Sequence, residues 1–434
     1  PLVLELINRG ASAGAFHETL EHYVTVEIFS KLSAEQKRVL SALSIYREPM
    51  VLEALALQQL DTDELDNLVE SGLARQADST TYDVHDLIRE FLLRSLSTSL
   101  KEEFHSKCME WYEKQPQSNE VTIELIYHSI QSNQFESASE LIMDKGRHLV
   151  SQGHMELLGL LERIDTADLE SSTVVLLAQL QGDILALLGR LAHAEEVLNK
   201  ALEGAKEANN PSIEAEILSS LADVSRKQGN SDVALARHKQ ALKHYISQGN
   251  AKWAARTYNN IGYLLRRKND RNKALEAYGE VEAILAQSKG NELLSSQITL
   301  ARALLDLGEV QRAREHAMDA HEATESMGDA ALHARAQAVL GRYYSKIEQS
   351  ELAMFHYTAA LEAMNEAGDL QALVEITILL GEVLHDAGRT EDAMEHYREA
   401  LVIAEANDLR MQIGELLTRL GGAAPDRQGR MEYL

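Results

Sequence analysis

The sequence predicts an all-α fold: a right-handed α-solenoid of about six helical hairpins of 40 residues each, preceded by a small helical domain with one β-hairpin. Composition indicates helix, because only 5 of 434 residues are proline while hydrophobic residues make up 45% and charged residues 25%. Spacing indicates the solenoid, because small residues recur about every 40 positions over residues 172–410.

The charge and cysteine content limit the classes of partner. Lys and Arg number 42 against 68 Asp and Glu, and the net charge of -26 opposes nonspecific contact with nucleic acid or anionic lipid. The single cysteine, Cys108, suits a reducing compartment, and no apolar run reaches the ~18 residues of a membrane span. We therefore expect a cytoplasmic protein without direct nucleic-acid or membrane binding. Because residue 1 is Pro rather than Met, we also expect part of a longer protein.

Residues 1–23 are expected to be the tail of a truncated helical domain, and residues 24–97 a separate small domain. Ser33 and Gln36 have the spacing of a capping box, which predicts a first helix directly after them. Residues 50–60 predict the second helix of this small domain.

A third helix is predicted over residues 61–71, ended by Gly72, with strands at 73–77 and 82–84 forming a hairpin. Three helices followed by a hairpin are typical of a winged-helix domain. In such a domain the third helix would enter the DNA groove, but this one holds five acids and no base. We therefore expect it to pack on protein or face solvent rather than bind DNA.

Residues 98–171 predict a helical connector with a degenerate entry repeat, and residues 172–410 predict six repeats that act as a sensor. Residues 411–434 are expected to form a capping helix and a tail. The repeat anchors are Gly182, Ala222, Gly262, Ala301, Gly341 and Gly381. Alanine stands 12 residues after every anchor, and a turn is predicted 7 residues after each, at Gly189, Gly229, Asn269, Gly308, Glu348 and Gly388.

Small residues at fixed offsets allow two antiparallel helices, A and B, to approach closely within each repeat. The breaks predict A helices of roughly 14 residues and B helices of roughly 16. This pattern resembles tetratricopeptide repeats in a lengthened form, with Tyr278, Tyr357 and Tyr397 at one equivalent position of the B helix.

Two short motifs carry a second resemblance. Val84-His85-Asp86 follows the second strand of the hairpin, and Pro1-Leu-Val-Leu-Glu-Leu opens the chain. In this order they resemble motifs of signal-transducing P-loop ATPases with numerous domains (STAND), including the maltose-regulon-activator type and the NB-ARC regulators of plant resistance. The resemblance implies that Pro1 helps to cover the adenine and that His85 contacts the β-phosphate of ADP in the resting state. The alternative is that His85 only packs beneath the hairpin.

The same resemblance implies an upstream nucleotide-binding domain as partner, with ADP or ATP bound in the parent protein and homo-oligomerisation on activation as one outcome. This chain contains no G-x-x-x-x-G-K-[ST] motif, so we expect no cofactor of its own and no enzymatic activity. Two motifs match enzyme motifs in their residues, but their structural surroundings or spacing exclude the corresponding chemistry. Ser12 follows a predicted helix instead of a strand, and His17 and His22 are five residues apart, too far around a helix to share a metal.

The predicted ligand site lies on the A helices, which line the concave groove of such arrays. The groove-facing offsets are -6, -3, +1, +4 and +5 from the anchor. They select seven residues as ligand-binding: Arg256, Asn259, Tyr263, Arg266, Arg302, Arg335 and Arg342. Flanking repeats present acids at these offsets, such as Glu375 and Glu382. The arginine cluster predicts an anionic small molecule, peptide or protein effector. The alternative is that the arginines pair with Asp306 or stay solvated.

Two functions therefore stay open. The first is the regulatory and sensor half of a STAND ATPase, in which the winged helix holds the ADP-bound state and the solenoid binds the effector. The second is a stand-alone scaffold or peptide-sensing repeat protein without nucleotide control.

Overall fold

The computed structural model describes residues 29–423 except 59, 61, 62, 289, 368 and 408. The chain divides into two compact units, Pro1–Ile184 and Leu185–Leu434. The predicted tail at residues 1–23, with Pro1, Ser12, His17 and His22, lies outside the described residues, as do residues 424–434.

The first unit begins with a short 3-10 turn at Phe29–Lys31 and continues through helices and a small sheet. Its elements in chain order are α1 (Ala34–Ile45), β1 (Met50–Val51), α2 (Leu52–Ala56), α3 (Asp63–Glu70), β2 (Ala74–Gln76), β3 (Thr81–Val84), α4 (Asp86–Ser95), α5 (Thr98–Tyr112), α6 (Asn119–Gln131), α7 (Phe135–Ser151) and α8 (Leu157–Leu161). The capping box at α1 is confirmed: Gln36 N–H donates to Ser33 Oγ, and Ser33 N–H donates to Gln36 Oε1.

The sheet has three antiparallel strands in the order β1, β3, β2, one more strand than predicted. The predicted hairpin is present, with Ala74 opposite Val84. The helix predicted over residues 50–60 is wrong at its start, since Met50 and Val51 are extended and pair with Tyr82 and Thr81. This pairing covers an edge of β3 that would otherwise leave backbone groups without partners.

The second unit is a stack of helix pairs, and the helix that opens the array, α9 (Ser171–Leu187), begins in the first unit. The remaining repeat helices are α10 (Leu191–Glu207), α11 (Pro211–Lys227), α12 (Ser231–Ser247), α13 (Ala251–Arg267), α14 (Arg271–Gln287), α15 (Leu294–Asp306), α16 (Val310–Glu325), α17 (Ala330–Lys346), α18 (Ser350–Ala367), α19 (Leu370–Asp386) and α20 (Thr390–Ala406). A last helix, α21 (Arg410–Ala423), follows. We number the pairs as repeats 1 to 6, so that α15, α17 and α19 are the A helices of repeats 4, 5 and 6.

Most repeat helices have 17 residues, which is longer than predicted. α16 and α18 have 16 and 18 residues, and the shortest helix, α15, has 13 residues and follows a 3-10 turn at Asn291–Leu293. This irregular entry to repeat 4 coincides with the one anchor spacing of 39 instead of 40 in the sequence.

The predicted turns between A and B helices are confirmed in all six repeats by positive φ angles, which run from 59° at Asn269 to 84° at Gly229. A left-handed residue closes the end of the A helix and favours glycine. The alanine that follows each anchor by 12 residues is completely buried in every repeat: Ala194, Ala234, Ala274, Ala313, Ala353 and Ala393. Small side chains therefore mark the closest contacts between helices, as the sequence predicts.

Candidate functional site

A cavity of about 600 Å³ opens on the A helices of repeats 4 to 6 and on α21, within the second unit. We call it the groove cavity. Its apolar lining includes Ile298, Val339, Ile376 and Leu379. Its charged lining consists of four arginines and four acids: Arg302, Arg335, Arg342, Arg419, Asp369, Glu375, Glu382 and Glu415.

The helical repeat explains why these side chains share one surface. The three A helices contribute residues at offsets -6, -3 and +1 from their anchors, which lie on one face of an α-helix. Offset -6 supplies Ser295, Arg335 and Glu375; offset -3 supplies Ile298, Ala338 and Ile378; offset +1 supplies Arg302, Arg342 and Glu382. The residues at +4 and +5 in these three repeats do not line the cavity.

Asp306 joins the A helices of three repeats. It ends α15, and its two carboxylate oxygens lie 2.8 Å from Arg266 Nη1 of repeat 3 and 2.9 Å from Arg342 Nη2 of repeat 5. The alternative that the arginines pair with Asp306 therefore holds for these two residues. Both guanidinium groups are committed to a bridge between repeats.

Two further pairs neutralise charge along the cavity. Glu382 pairs with Arg419 of α21, and burial raises the pKa of Glu382 even though Arg419 favours its ionised form. Arg335 Nη2 lies 3.2 Å from Asp369 Oδ2, and the Arg335 side chain is 51% exposed. An exposed pair of this kind is weak and open to exchange with a ligand.

Arg302 and Glu375 are the two charged residues of the cavity lining that have no ion-pair partner among residues 29–423 as described. Arg302 is exposed on α15. Glu375 is exposed on α19 and accepts one hydrogen bond, from Gln371 Nε2 at 3.2 Å. Within the part of the chain that the structure describes, the cavity thus presents one cation and one anion without an ion-pair partner, on repeats two apart.

The other predicted ligand residues lie outside the groove cavity, on repeat 3. Arg256 stacks on the Trp253 ring at 4.9 Å, and Arg266 lies 5.6 Å from the centroid of Tyr263. Asn259, predicted to bind the ligand, is only 4% exposed, and its Nδ2 donates to the Ser296 carbonyl at 2.9 Å. The amide nitrogen therefore has its partner in the next repeat, whereas Oδ1 has none among the described residues.

In the first unit, His85 is exposed and precedes α4 as its N-cap, without a capping hydrogen bond from its side chain. Asp86 is the first residue of α4 and therefore is not its N-cap. The buried side chain of Asp83, two residues before His85, makes the hydrogen bonds that stabilise this region instead. It accepts hydrogen bonds from Arg75 Nε at 3.1 Å and from Arg89.

Burial opposes ionisation of Asp83, but hydrogen bonds from Arg75 and from the Val84 N–H hold its pKa below the ordinary value. Arg89 also donates to the carbonyls of Ser44 and Tyr46, so the end of β3 is fixed to the end of α1. The sequence motifs did not identify Asp83, because its role depends on the folded contacts with Arg75 and Arg89 rather than on a local pattern.

A buried polar cluster between α5 and α6 was also missed. His105 Nδ1 and His128 Nδ1 lie 2.7 Å apart, so one donates and the other accepts. Burial lowers the pKa of His105 to about 4 and that of His128 well below its ordinary value. Nearby, Arg47 pairs with Glu124, whose Oε2 lies 3.7 Å from His128 Nε2.

Two kinds of site are absent from the described part of the chain. No group of three or more His, Cys, Asp or Glu side chains is placed to hold a metal ion. No described helix combines the length and the apolar character needed to cross a bilayer.

Comparison with known proteins adds the context for this fold. The tetratricopeptide repeat profile matches residues 174–247 and 213–287. These residues therefore carry tetratricopeptide repeats. The helices beyond them continue the same paired stacking, which is typical of a tetratricopeptide solenoid. No curated protein matches the chain in sequence.

Two solved structures resemble the chain over most of its length. One is a signal transduction ATPase with numerous domains (STAND) that carries a tetratricopeptide repeat sensor, from Pyrococcus horikoshii, with TM-score 0.52 and 17% identity over 99% of this chain. The chain spans 66% of that protein, just under two thirds of its length. The other is the apo form of the quorum sensor NprR from B. thuringiensis, with TM-score 0.50 and 14% identity over 86% of this chain and 95% of that one. At these identities the likeness is one of fold.

Proposed function

We propose that the chain is the regulatory and sensor part of a STAND-type signal-transduction ATPase. In this proposal the groove cavity binds the effector, and the first unit, with a winged-helix arrangement, reports the nucleotide state of an upstream nucleotide-binding domain. The observation that carries the proposal is the groove cavity itself, which has an apolar floor and eight charged residues around it, two of them without ion-pair partners among the described residues.

His85 supports the nucleotide part of the proposal. A contact with the β-phosphate of ADP requires an imidazole that is exposed and free of local hydrogen bonds, and His85 has both properties at the N-cap of α4. Because Asp83 anchors the end of β3 through Arg89, the backbone that presents His85 is held in place. When bound in the parent protein, ADP would supply the phosphate group that His85 contacts.

The test uses the full-length protein with its nucleotide-binding domain. A His85→Ala variant is expected to release a fluorescent ADP analogue faster than the parent, because the phosphate loses a donor. His193→Ala, which removes another exposed histidine on α10, is the matched control and is expected to leave the release rate unchanged. Equal release rates from the His85→Ala variant and the parent would contradict nucleotide control through this residue.

A second candidate function is that of a peptide-sensing repeat protein without nucleotide control. The same cavity favours it, since ligand binding there requires nothing from the first unit. The similarity in fold to the quorum sensor NprR, over 95% of that chain, supports this alternative. The two functions differ in one measurement, namely whether a ligand of the groove cavity changes the rate of ADP release from the full-length protein.

A further inference from the structure

We propose that the groove cavity recognises an extended peptide of about six residues that is negatively charged at its repeat 4 end and positively charged at its repeat 6 end. This inference rests on the proposed function of the groove cavity as the sensor site. It replaces the purely anionic ligand that the arginine cluster predicts from sequence.

The first argument is the distribution of charge along the cavity. Repeats 4 and 5 contribute only arginines to its charged lining, whereas α19 and α21 contribute three of its four acids. Arg342 shares Asp306 with Arg266, and Arg419 pairs with both Glu382 and Glu415. Among the described residues, the lining charges that have no ion-pair partner are Arg302 at one end of the cavity and Glu375 at the other.

The second argument is the distance between these two charges. Neighbouring packed helices are separated by roughly 8–10 Å, and Arg302 and Glu375 lie on A helices two intervals apart. Their offsets of +1 and -6 add seven residues, or roughly 10 Å, along the helix direction. The two charges are therefore separated by about 20 Å, which an extended chain spans with about six residues at ~3.3 Å per residue.

This separation discriminates between ligand classes. A small zwitterion such as an amino acid cannot reach both charges, and a compact phosphorylated metabolite would bind near Arg302 without using Glu375. A peptide satisfies both, and its backbone meets the polar side chains Ser295, Thr299 and Gln371 of the lining. Apolar peptide side chains between the charged ends would pack against Ile298 and Val339 and be removed from water there.

The weak pair of Arg335 and Asp369 fits the same ligand. Arg335 lies at the -6 offset between the two free charges and is held by one contact of 3.2 Å at a half-exposed site. An incoming carboxylate can take over this arginine at low cost, since exposed pairs contribute little. Arg335 shares its offset with Glu375 one helix interval away and lies farther from Arg302, so it adds a second cation in the middle of the cavity, for a carboxylate carried inside the peptide rather than at its end.

The experiment uses three pools of capped hexapeptides with four randomised apolar or polar central positions. One pool has Glu at one end and Lys at the other, one has Glu at both ends, and one has Lys at both ends. Binding to the chain is measured by fluorescence anisotropy. We expect the mixed pool to bind at least about tenfold more tightly than either single-sign pool, because only it pairs with both free charges.

Charge reversal sharpens the test. Arg302→Glu and Glu375→Arg are each expected to weaken binding of the mixed pool by about tenfold. The double variant should restore it to near the parent value, because a mixed peptide can dock with its direction reversed. Arg314→Glu, an exposed arginine on α16 outside the cavity, is the charge-matched control. Circular dichroism establishes that each variant is folded.

Three outcomes would overturn the inference: equal or tighter binding of the all-Glu pool, a double variant that stays as weak as the single variants, or no binding by any pool. None of these bears on the His85 measurement of ADP release. The failure of the peptide inference is thus distinguishable from the failure of nucleotide control.

Discussion

The Tyr278 ring packs directly on the backbone of Gly262: a Cβ atom added to Gly262 would lie 2.5 Å from Tyr278 Cε1. The same relationship recurs between Gly341 and Tyr357, where the closest ring atom would be 2.8 Å away. Where the anchor is alanine, as in repeat 4, the residue 16 positions later is Ala317 instead of tyrosine. In repeats 3, 5 and 6, glycine at the anchor and tyrosine in the B helix therefore form one packing contact.

The first prediction concerns this contact. Gly262→Ala is expected to destabilise the chain by roughly 1–2 kcal/mol, because overpacking outweighs the better helix propensity of alanine. Gly279→Ala is the control, since a Cβ there meets nothing within 4 Å, and it should be neutral or stabilising. Urea unfolding measures both variants. Equal stability of the two would show that the ring can move away freely.

The second prediction concerns the bridge across repeats 3 to 5. Asp306→Asn leaves both Arg266 and Arg342 without their carboxylate and should cost about 1 kcal/mol, a modest value because the arginine side chains are about one-third exposed. Added salt should reduce the difference between variant and parent. Asp386→Asn, at a side chain 83% exposed, is the control and should leave the melting temperature unchanged. A salt-independent loss would argue against an electrostatic bridge.

The third prediction concerns Asp83. Asp83→Asn removes the charged partner of Arg89, whose side chain is 17% exposed, and is expected to cost about 3 kcal/mol. Asp86→Ala, at an exposed position, should be nearly neutral because the structure shows no capping role for Asp86. Thermal unfolding of the two variants compares them directly. A larger loss for the Asp86 variant would indicate that Asp86 caps α4 and would contradict this account.

The fourth prediction is a loss of stability in acid from the histidine pair. Burial lowers the pKa of His105 from 6.5 to about 4, so the unfolded chain binds more protons than the folded chain between these values. The free energy of unfolding should therefore keep its full value above pH 6.5 and fall by about 3 kcal/mol as the pH decreases to 4.

A double variant, His105→Phe with His128→Leu, removes both titrating groups and should flatten the pH dependence. The measurement is the free energy of unfolding between pH 4 and 7. An unchanged slope in the double variant would place the acid sensitivity elsewhere, for example in the Arg47 and Glu124 pair that packs beside the histidines.

The repeat architecture was predictable from sequence because its determinants are local. The turn glycines, the buried alanines and the groove-facing offsets recur with a fixed period, so each repeat supports the interpretation of the others. The helix lengths were underestimated, because the first and last turns of each helix carry polar residues that resemble loops. The short strand β1 was missed because two residues carry no periodicity.

The composition of the site was less predictable, for a physical reason. Arg266 and Arg342 have the sequence signature of ligand-binding arginines, yet both bind Asp306, which lies 36 to 40 positions away. A periodic pattern identifies which face a residue occupies but not which neighbour neutralises it. The burial of Asn259 between repeats was hidden for the same reason.

The most direct test of the central claim is hydrogen exchange of the backbone amides with and without the mixed hexapeptide pool. If the groove cavity is the sensor site, protection should increase in α15, α17 and α19, around Arg302, Arg335 and Glu375, and stay unchanged in repeats 1 and 2. Protection confined to repeats 1 and 2, or the same protection in the Arg302→Glu variant, would contradict the assignment of this cavity as the ligand site.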